Sequence, residues 1–277
     1  MTRLRVGLST CPNDTFLFAP LLQGRVDTGA LELDFVLGDV QELNEALRAD
    51  ELPVSKASFA LSLELADTHG VLPVGAALGF GVGPVLLGAP GSAPPGPGDR
   101  LLAPGADTTA SLLLRCLRPE LGPPEQLRFD EIMPALLAGQ AVAGVCIHEG
   151  RFTYAEQGLT LLEDLGASWE AATGCPVPLG GLLARHDLGS ETHRQLSSVL
   201  RASLAAARAA PALCLPTMRE HAQELSDEVL WRHVELYVNA HTAELGHVGE
   251  RALRELASRA GAPSAPRPLP ASTPPSP

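Results

Sequence analysis

Short apolar runs alternate with helix-like patterns along most of the chain, and this alternation limits the possible folds more than any other feature. Arg3 to Ser9 predicts a buried strand, residues 31–37 and 54–57 predict two more, and a helical pattern follows each of them. Strands that alternate with helices are typical of α/β architecture with largely parallel strands. The chain has 277 residues, enough for about two such domains at roughly 150 residues each.

The predicted elements fall into two series. After residues 75–84, where four glycines permit close backbone approach, a strand at 85–89 and a Pro/Gly-rich loop at 90–99 lead into the second series. From residue 190 the pattern is helical, and residues 261–277, with seven prolines, predict an extended or disordered tail. We therefore expect two α/β lobes, formed by 1–88 with 186–277 and by 89–185, with the binding cleft between them.

Charge and composition exclude several classes of partner. The 32 acidic and 20 basic residues leave a formal net charge of -12, which repels nucleic acids and anionic membrane surfaces. The five cysteines form no C-x-x-C pair and no Cys/His cluster of zinc-ligand spacing. No apolar run has the length of a membrane span or a secretory signal. The sequence thus predicts a cytoplasmic protein that uses no metal and binds neither nucleic acid nor membrane.

Candidate binding residues in the first lobe follow from strand geometry. Ligands of parallel α/β lobes gather at the carboxyl ends of strands and the N-termini of the next helices. This rule selects Ser9, Asn13, Asp14 and Thr15, then Asp39, then Lys56, Ala57 and Ser58. Helix capping is the expected role of Asp14, which could otherwise be a second acid or base, and of Ser58. Asn13 and Thr15 also offer capping oxygens, and Asp39 with Glu42 predicts a capping box. Lys56 is the only lysine against nineteen arginines, which indicates either a site that needs a compact ammonium or chance survival.

The second lobe contributes a threonine pair and a histidine. Thr108 and Thr109 follow Gly105 at a helix start, where hydroxyls and backbone amides can hold a carboxylate, although an ordinary N-cap would explain one threonine. His148, followed by Glu149, ends the apolar strand at 142–147 and is the best candidate for a general base, since imidazole titrates near neutral pH. Ligand binding without chemistry is its alternative role.

The remaining histidines and Cys11 receive a plainer interpretation. Six other histidines in polar or helical surroundings are predicted to be surface or packing residues: His69, His193, His221, His233, His241 and His247. Cys11 lies beside a predicted helix N-terminus, which would activate a thiol, but a small buried filler is the commoner role of a free cysteine.

Several motifs resemble a known family. Ser9-Thr10-Cys11-Pro12-Asn13-Asp14-Thr15-Phe16, Val54-Ser55-Lys56-Ala57-Ser58, Thr108-Thr109-Ala110 and His148-Glu149-Gly150-Arg151-Phe152-Thr153-Tyr154 occur in the order seen in the 1,4-dihydroxy-6-naphthoate synthases of the futalosine route to menaquinone. The resemblance runs from about residue 4 to about residue 260. It implies a two-lobed fold similar to type II periplasmic binding proteins. It also implies a carbon-carbon lyase that converts cyclic dehypoxanthine futalosine, a small-molecule carboxylate, without metal or organic cofactor.

The same resemblance assigns roles to particular residues. His148 matches the family's proposed proton acceptor, and Lys56 to Ser58 and Thr108-Thr109 match its substrate-contacting segments. Asp107 is a departure, because an extra carboxylate there would lie near the expected anion site. A solute-binding protein of the same fold and the related chorismate dehydratase are the alternative functions. The C-terminal helices could cover the first lobe or form a homodimer surface.

Overall fold

The computed structural model describes residues 2–148, 150–222 and 226–270. Apolar β-branched and leucine-rich runs form short strands, as their alternation predicts. In chain order the strands are β1 (Thr2–Ser9), β2 (Leu31–Gly38), β3 (Val54–Ser58), β4 (His69–Val71), β5 (Ala77–Gly79), β6 (Val85–Gly88), β7 (Leu101–Ala103), β8 (Glu125–Gln126), β9 (Ala143–Cys146), β10 (Thr160–Asp164) and β11 (Val177–Arg185).

The helices lie between these strands and after the last one. In chain order they are α1 (Pro12–Leu22), α2 (Val40–Arg48), α3 (Phe59–Glu64), α4 (Thr109–Leu117), α5 (Phe129–Leu137), α6 (Gly150–Thr153), α7 (Leu165–Thr173), α8 (Gly189–Ala209), α9 (Leu215–His221), α10 (Asp227–Tyr237), α11 (Ala240–Ala243) and α12 (Gly246–Ala260). The helix predicted over 216–225 ends at His221, and residues 223–225 lie outside the described part.

Membrane-spanning potential is confined to one bent pair of helical segments. Within the described ranges, no single helix has the length and apolar character to cross a membrane. Residues 186–209 and 211–221 meet the length and composition test only together, and the axis bends by 112° between them.

Two mixed sheets form the two lobes, so the prediction of α/β architecture is confirmed. The first sheet has the order β2-β1-β3-β11-β4, with β5 paired to β11, and the second has the order β10-β6-β9-β7-β8. The expectation of largely parallel strands is wrong for β11 and β6, which run antiparallel to β3 and β9. Each of these two strands arrives from the other lobe and enters its sheet at the cleft edge, where its parallel neighbours end, so it must run in the opposite direction.

The chain passes from one sheet to the other at points that differ from the predicted lobe boundaries, which lie after residues 88 and 185. The strand β6, which we assigned to the first lobe, belongs to the second sheet, and β11, which we assigned to the second lobe, belongs to the first sheet. The chain therefore crosses between the sheets near Gly83-Pro84 and again through α7. The strand patterns located these elements, but local periodicity carries no information about which sheet a strand joins.

The first sheet is buried on both faces. Adjacent side chains of β11 point to opposite faces, so Leu182 joins one apolar cluster with Phe18 of α1, and Leu183 joins another with Trp169 of α7. The second cluster also contains Leu113 of α4, which belongs to the other lobe. This cluster therefore contains apolar side chains from both lobes.

The start of the tail is ordered against the first sheet. The backbone around Pro268 bridges Val71 in parallel fashion, and Leu269 is only 7% exposed. The Val71 amide donates to the Arg267 carbonyl at 2.9 Å, and the Leu269 amide donates to the Val71 carbonyl at 2.8 Å. Up to residue 270 the tail is extended, as predicted, but it is docked rather than disordered. Residues 271–277 lie outside the described part.

The two crossover segments touch through glycines. A Cβ atom at Gly83 would lie 2.9 Å from the Gly166 Cα, and a Cβ at Gly166 would lie 2.0 Å from the Val82 carbonyl oxygen. Gly83 also has a φ of +125°, which side-chain-bearing residues rarely adopt. The prediction of close backbone approach in the glycine-rich stretch is therefore confirmed at Gly83.

The Gly166→Ala substitution should be strongly destabilising, because its methyl group would collide with backbone that the opposite crossover holds in place. Overpacking of this kind costs about 1–3 kcal/mol or more. Urea unfolding of the variant should show this loss. The matched control is Gly96→Ala, because a Cβ there would meet nothing closer than an Asp99 carboxylate oxygen at 3.8 Å. Equal stabilities of the two variants would contradict the close approach.

Candidate functional site

A cavity of about 650 Å³, a volume that includes its solvent-open part, lies between the lobes at the carboxyl ends of the strands. Most of the residues selected from the sequence line it: Ser9, Asn13, Asp14, Lys56, Ala57, Ser58, Thr108, Thr109 and His148. The cavity wall also contains residues that we did not select, including Pro84, Leu179, Gly180, His233 and Tyr237. Glu149, selected together with His148, lies outside the described residues.

Asp39, like Thr15, is a selected residue that does not line this cavity. Its carboxylate accepts hydrogen bonds from the backbone amides of Gln41 at 2.6 Å and Glu42 at 3.0 Å, and the Glu42 side chain accepts from the Asp39 amide. The predicted capping box is therefore confirmed. Because the carboxylate is held by the first turn of α2, its neighbour Val40 reaches the cavity instead.

Lys56 and Asp14 form a buried ion pair in the cavity wall. The Lys56 Nζ donates to Asp14 Oδ1 at 2.6 Å and to the Gly75 carbonyl at 3.1 Å, and both side chains are 5% exposed. Burial raises the pKa of Asp14 above its ordinary value, and the Lys56 ammonium opposes this shift. The capping role expected for Asp14 is wrong, since Cys11 occupies the N-cap of α1 and Asp14 turns toward the ammonium.

A hydrogen-bonded chain extends from this ion pair to α10. The Asn13 side-chain amide donates to Asp14 Oδ1 at 3.0 Å, which leaves its oxygen facing His233 Nε2, also at 3.0 Å. His233 is 2% exposed, and burial, followed by electrostatic interaction with His148 and Lys56, lowers its pKa well below the ordinary value. His233 is thus a neutral buried imidazole of the site, and the expectation of a surface or packing position misses this role.

One signal in the sequence could have pointed to His233. It lies four residues before Tyr237, so the two side chains share a face of α10, and both line the cavity. Their ring centroids are 4.5 Å apart. An aromatic and a titratable ring on one helix face are compatible with ordinary packing, however, and only the placement of α10 against α1 makes them part of the site.

His148 is held at the cavity by a strained backbone and two neighbouring side chains. It follows β9 with a φ of +55°, which is uncommon outside glycine and is typical of functional sites. Its Nδ1 lies 3.3 Å from Cys11 Sγ, and its ring meets the Phe129 ring edge to face at 5.0 Å. The half-buried imidazole therefore lines the cavity from the second lobe, and Cys11 of the first lobe contacts the imidazole.

The hydroxyls of the threonine pair are used within the protein. Thr108 Oγ1 accepts from the Ser111 amide at 3.2 Å and donates to the Gly105 carbonyl at 2.8 Å, which is the N-cap role. Thr109 Oγ1 donates to the Leu179 carbonyl at 2.7 Å and accepts from the Ala60 amide at 3.1 Å. Thr109 thus joins the two lobes. At this position an anion would therefore be bound by the backbone amides in the first turn of α4 and not by the threonine hydroxyls.

Ser58 is also held by another residue, Asn44, but its hydroxyl keeps a proton that it can donate. Its backbone amide donates to Asn44 Oδ1 at 2.9 Å, and its hydroxyl oxygen accepts from Asn44 Nδ2 at 3.1 Å. We expected the side chain to cap α3, but it makes no capping hydrogen bond there. Since the hydroxyl accepts from Asn44, its own proton can be donated into the cavity.

Asp107 faces away from the cavity and joins the lobes. Both of its carboxylate oxygens accept from the Arg48 guanidinium, at 2.6 and 2.7 Å, and one also accepts from the Gln41 side chain at 3.1 Å. The bond to Arg48 holds the pKa of Asp107 below its ordinary value. The extra carboxylate is therefore neutralised by α2, and it is not among the residues that line the cavity.

Metal-ligating side chains are not clustered in the described residues. Within those ranges no group of three or more His, Cys, Asp or Glu side chains is arranged to hold a metal ion. The expectation of a site without metal or cofactor stays a prediction.

Comparison with known proteins places these observations in a family. A family model described as "Menaquinone biosynthesis" matches residues 4–262. The 1,4-dihydroxy-6-naphthoate synthase of Thermus thermophilus is 46% identical over 274 residues, which cover 97% of this chain and 99% of that protein. The chain belongs to this menaquinone biosynthesis family. A second member, the 1,4-dihydroxy-6-naphthoate synthase of Streptomyces coelicolor, is 41% identical over 94% of this chain and 93% of its own length.

Solved structures support the family's binding-protein-like fold. An Archaeoglobus fulgidus protein matches with a TM-score of 0.88 and 32% identity, over 94% of this chain and 97% of that one. The periplasmic aliphatic sulphonate binding protein of Escherichia coli matches with a TM-score of 0.63 and 16% identity, over 94% and 85% of the two chains. The prediction of a two-lobed fold similar to periplasmic binding proteins is confirmed.

Removing one member of the buried ion pair should cost more than removing both. Asp14→Asn leaves the Lys56 ammonium buried without its counter-ion, which costs about 3–5 kcal/mol in buried pairs. The double variant Asp14→Asn, Lys56→Met should recover part of that loss. Urea unfolding of both single variants and the double variant gives the coupling energy. Strictly additive losses would contradict the pairing.

Stability should fall in acid because of His233. Its pKa in the folded protein lies well below that in the unfolded chain, so below about pH 6.5 only the unfolded chain binds a proton there. The free energy of unfolding then decreases as the pH falls, by up to about 1.4 kcal/mol per pH unit for one such group. His69 contributes with the same sign. Unfolding of His233→Gln between pH 7 and pH 5 should show a shallower decrease, and an unchanged slope would contradict the assignment.

Proposed function

We propose that this protein is a carbon-carbon lyase that converts cyclic dehypoxanthine futalosine to 1,4-dihydroxy-6-naphthoate, with His148 as the general base. The observation that carries the proposal is the position of His148, which lines the interlobe cavity together with Lys56, Ser58 and the start of α4. The near-full-length relatives named 1,4-dihydroxy-6-naphthoate synthase support the reaction class.

The cavity is lined by hydrogen-bond donors that can bind the carboxylate of an organic acid. Three kinds of hydrogen-bond donor line it: the buried Lys56 ammonium, the Ser58 hydroxyl and the amides at the N-terminus of α4. Among the described residues, Asp14 is the only carboxylate in the lining, and it is paired with Lys56. Donors at a helix N-terminus favour negative charge. We therefore propose a small-molecule carboxylate as the substrate, bound by donors from both lobes.

The proposed chemistry needs a base and positioned donors. The His148 imidazole takes a carbon-bound proton, and the electron pair of that bond remains in the substrate. The carbon-carbon bond at the spiro centre of the cyclic substrate then breaks. The electron pair left by the proton forms a double bond of the naphthalene ring system, and the pair of the broken bond leaves with the second organic fragment, which takes the proton from the imidazolium. Aromatisation of the naphthalene ring system drives the cleavage. Proton transfer, positioning and electrostatic stabilisation are all that the chain must contribute, so we propose a cofactor-independent reaction. We also propose that the reaction takes place in the cytoplasm, as the sequence predicts.

The reaction test is direct incubation of the purified protein with cyclic dehypoxanthine futalosine. We expect mass spectrometry to detect 1,4-dihydroxy-6-naphthoate. Two alternatives define the opposite outcomes. Turnover of chorismate instead would identify a chorismate dehydratase, and tight binding of a small acid without any turnover would identify a solute-binding protein of the same fold.

The His148→Ala variant should lose most of its activity. A positioned general base contributes about 10²–10⁴-fold to a rate, and the variant's kcat should fall by an amount in that range. The matched control is His247→Ala, because the His247 side chain is fully exposed and absent from the cavity wall. A His148→Ala protein that turns over substrate as fast as the control would show that the base is another residue.

A further inference from the structure

Arg151 connects the segment that follows His148 to the two crossovers, where the chain passes from sheet to sheet. It lies in α6, three residues after His148, and its side chain is only 17% exposed. Its guanidinium donates to the Gly83 carbonyl at 3.1 Å and to the Gly81 carbonyl at 3.3 Å, both in the first crossover. It also donates to Asp164 Oδ2 at 2.6 Å, where the second crossover begins. One side chain thus contacts both crossovers.

Two of these three acceptors are themselves held by α7. Asp164 is the N-cap of α7, where its Oδ1 accepts from the Ala167 amide at 3.0 Å and leaves Oδ2 to Arg151. The Gly81 amide donates to Glu170 Oε1 of α7 at 2.7 Å. A guanidinium is planar and presents its donors in a fixed fork, so acceptors that are held in this way define the position of the Arg151 side chain.

The position of Arg151 affects His148 through the backbone. The Arg151 amide donates to the His148 carbonyl at 3.4 Å, and the Gly150 amide donates to the Ile147 carbonyl at 3.2 Å. His148 has a φ of +55°, and a residue with a side chain stays in this conformation only when its surroundings impose it. The bonds of the Arg151 side chain are therefore a restraint on the backbone that follows the imidazole-bearing residue.

Arg151 exerts this restraint from outside the cavity. It is not among the residues that line the cavity, whereas Gly83 and His148, which it connects, both line it. Because the two crossovers join the sheets, a change in the arrangement of the lobes would pass through the segments that Arg151 binds. His148 would then move together with the crossovers and keep its place relative to the cavity wall at Gly83.

We propose that Arg151 is a positioning residue that fixes His148 at the cavity by connecting α6 to both crossovers. This assignment rests on the proposed function for the role of His148 as the base. A base acts only within reach of the proton that it takes, and a displacement of about 1 Å can cost about 10²-fold in rate. Removing the guanidinium should therefore affect the chemical step more than substrate binding.

The test measures turnover and the NMR spectrum of Arg151→Gln. We expect kcat to fall by about 10–100-fold and KM to change by less than about threefold. Arg151→Lys should recover only part of the lost rate, because an ammonium lacks the planar fork that reaches all three acceptors. The imidazole C–H resonances of His148, assigned with His148→Gln, should shift in Arg151→Gln at constant pH. They depend on the placement of the imidazole relative to the Phe129 ring, whose centroid lies 5.0 Å away.

Two further variants separate this effect from a general loss of stability. Arg118→Gln is the matched control, because the Arg118 guanidinium binds Glu163, the neighbour of Asp164, at 2.7 Å and lies away from the cavity wall. It should keep the wild-type kcat and the wild-type His148 resonances. If Arg151→Gln fails to fold, Asp164→Asn replaces it, because asparagine can retain the cap of α7 while the charged partner of Arg151 is lost. Its kcat should fall by at least about threefold, with the same shift of the His148 resonances.

The outcomes distinguish this inference from the proposed function. Turnover of the futalosine substrate by Arg151→Gln at the rate of Arg118→Gln, or a loss confined to KM, would overturn the positioning role and leave the reaction intact. A reduced kcat with unmoved His148 resonances would also overturn it. A wild type without turnover would overturn the proposed function. In that case, His148 resonances that shift in Arg151→Gln and not in Arg118→Gln would still support the connection, and unmoved resonances would overturn it too.

Discussion

The ion pair between Lys56 and Asp14 connects the elements that form one wall of the cavity. The ammonium comes from β3 and the carboxylate from the first turn of α1, and the Gly75 carbonyl accepts a second bond from Lys56. A buried charge is tolerated only when its partner and its hydrogen bonds are complete. Satisfying these two charges therefore fixes the start of α1, and with it Asn13 and the orientation of the His233 ring.

The opposite wall depends on contacts between the lobes. Thr109 bonds to backbone groups of Leu179 and Ala60, and Asp107 binds Arg48, so the start of α4 is tied to the first sheet by hydroxyl and ionic bonds. Because Arg48 neutralises Asp107 outside the cavity and Lys56 pairs with Asp14 in its wall, no unpaired carboxylate of the described cavity lining opposes the positive end of α4. A protein with a net charge of -12 can in this way present donors to an organic acid.

The local signals in the sequence were reliable where a residue's role follows from its element. Strand ends identified Lys56, Ser58 and His148 as cavity residues, since the carboxyl ends of strands meet at the cleft. The same reasoning was wrong for Asp39, whose carboxylate the capping box retains, and it missed His233. No strand end marks His233, and its importance comes from a hydrogen bond to Asn13, 220 positions away in sequence. Such a contact leaves no pattern in the local sequence.

The sequence by itself determined the α/β elements, the family and most of the residues at the cleft, because periodicity, capping motifs and strand ends are properties of neighbouring residues. Only the tertiary structure decided that β6 and β11 change lobes, that the tail docks as far as Leu269, and that Asp107 turns to Arg48. It also decided that a single lysine is neutralised within the site wall. These outcomes depend on which distant groups meet when charges and unpaired backbone groups are buried, and burial is a property of the folded chain as a whole.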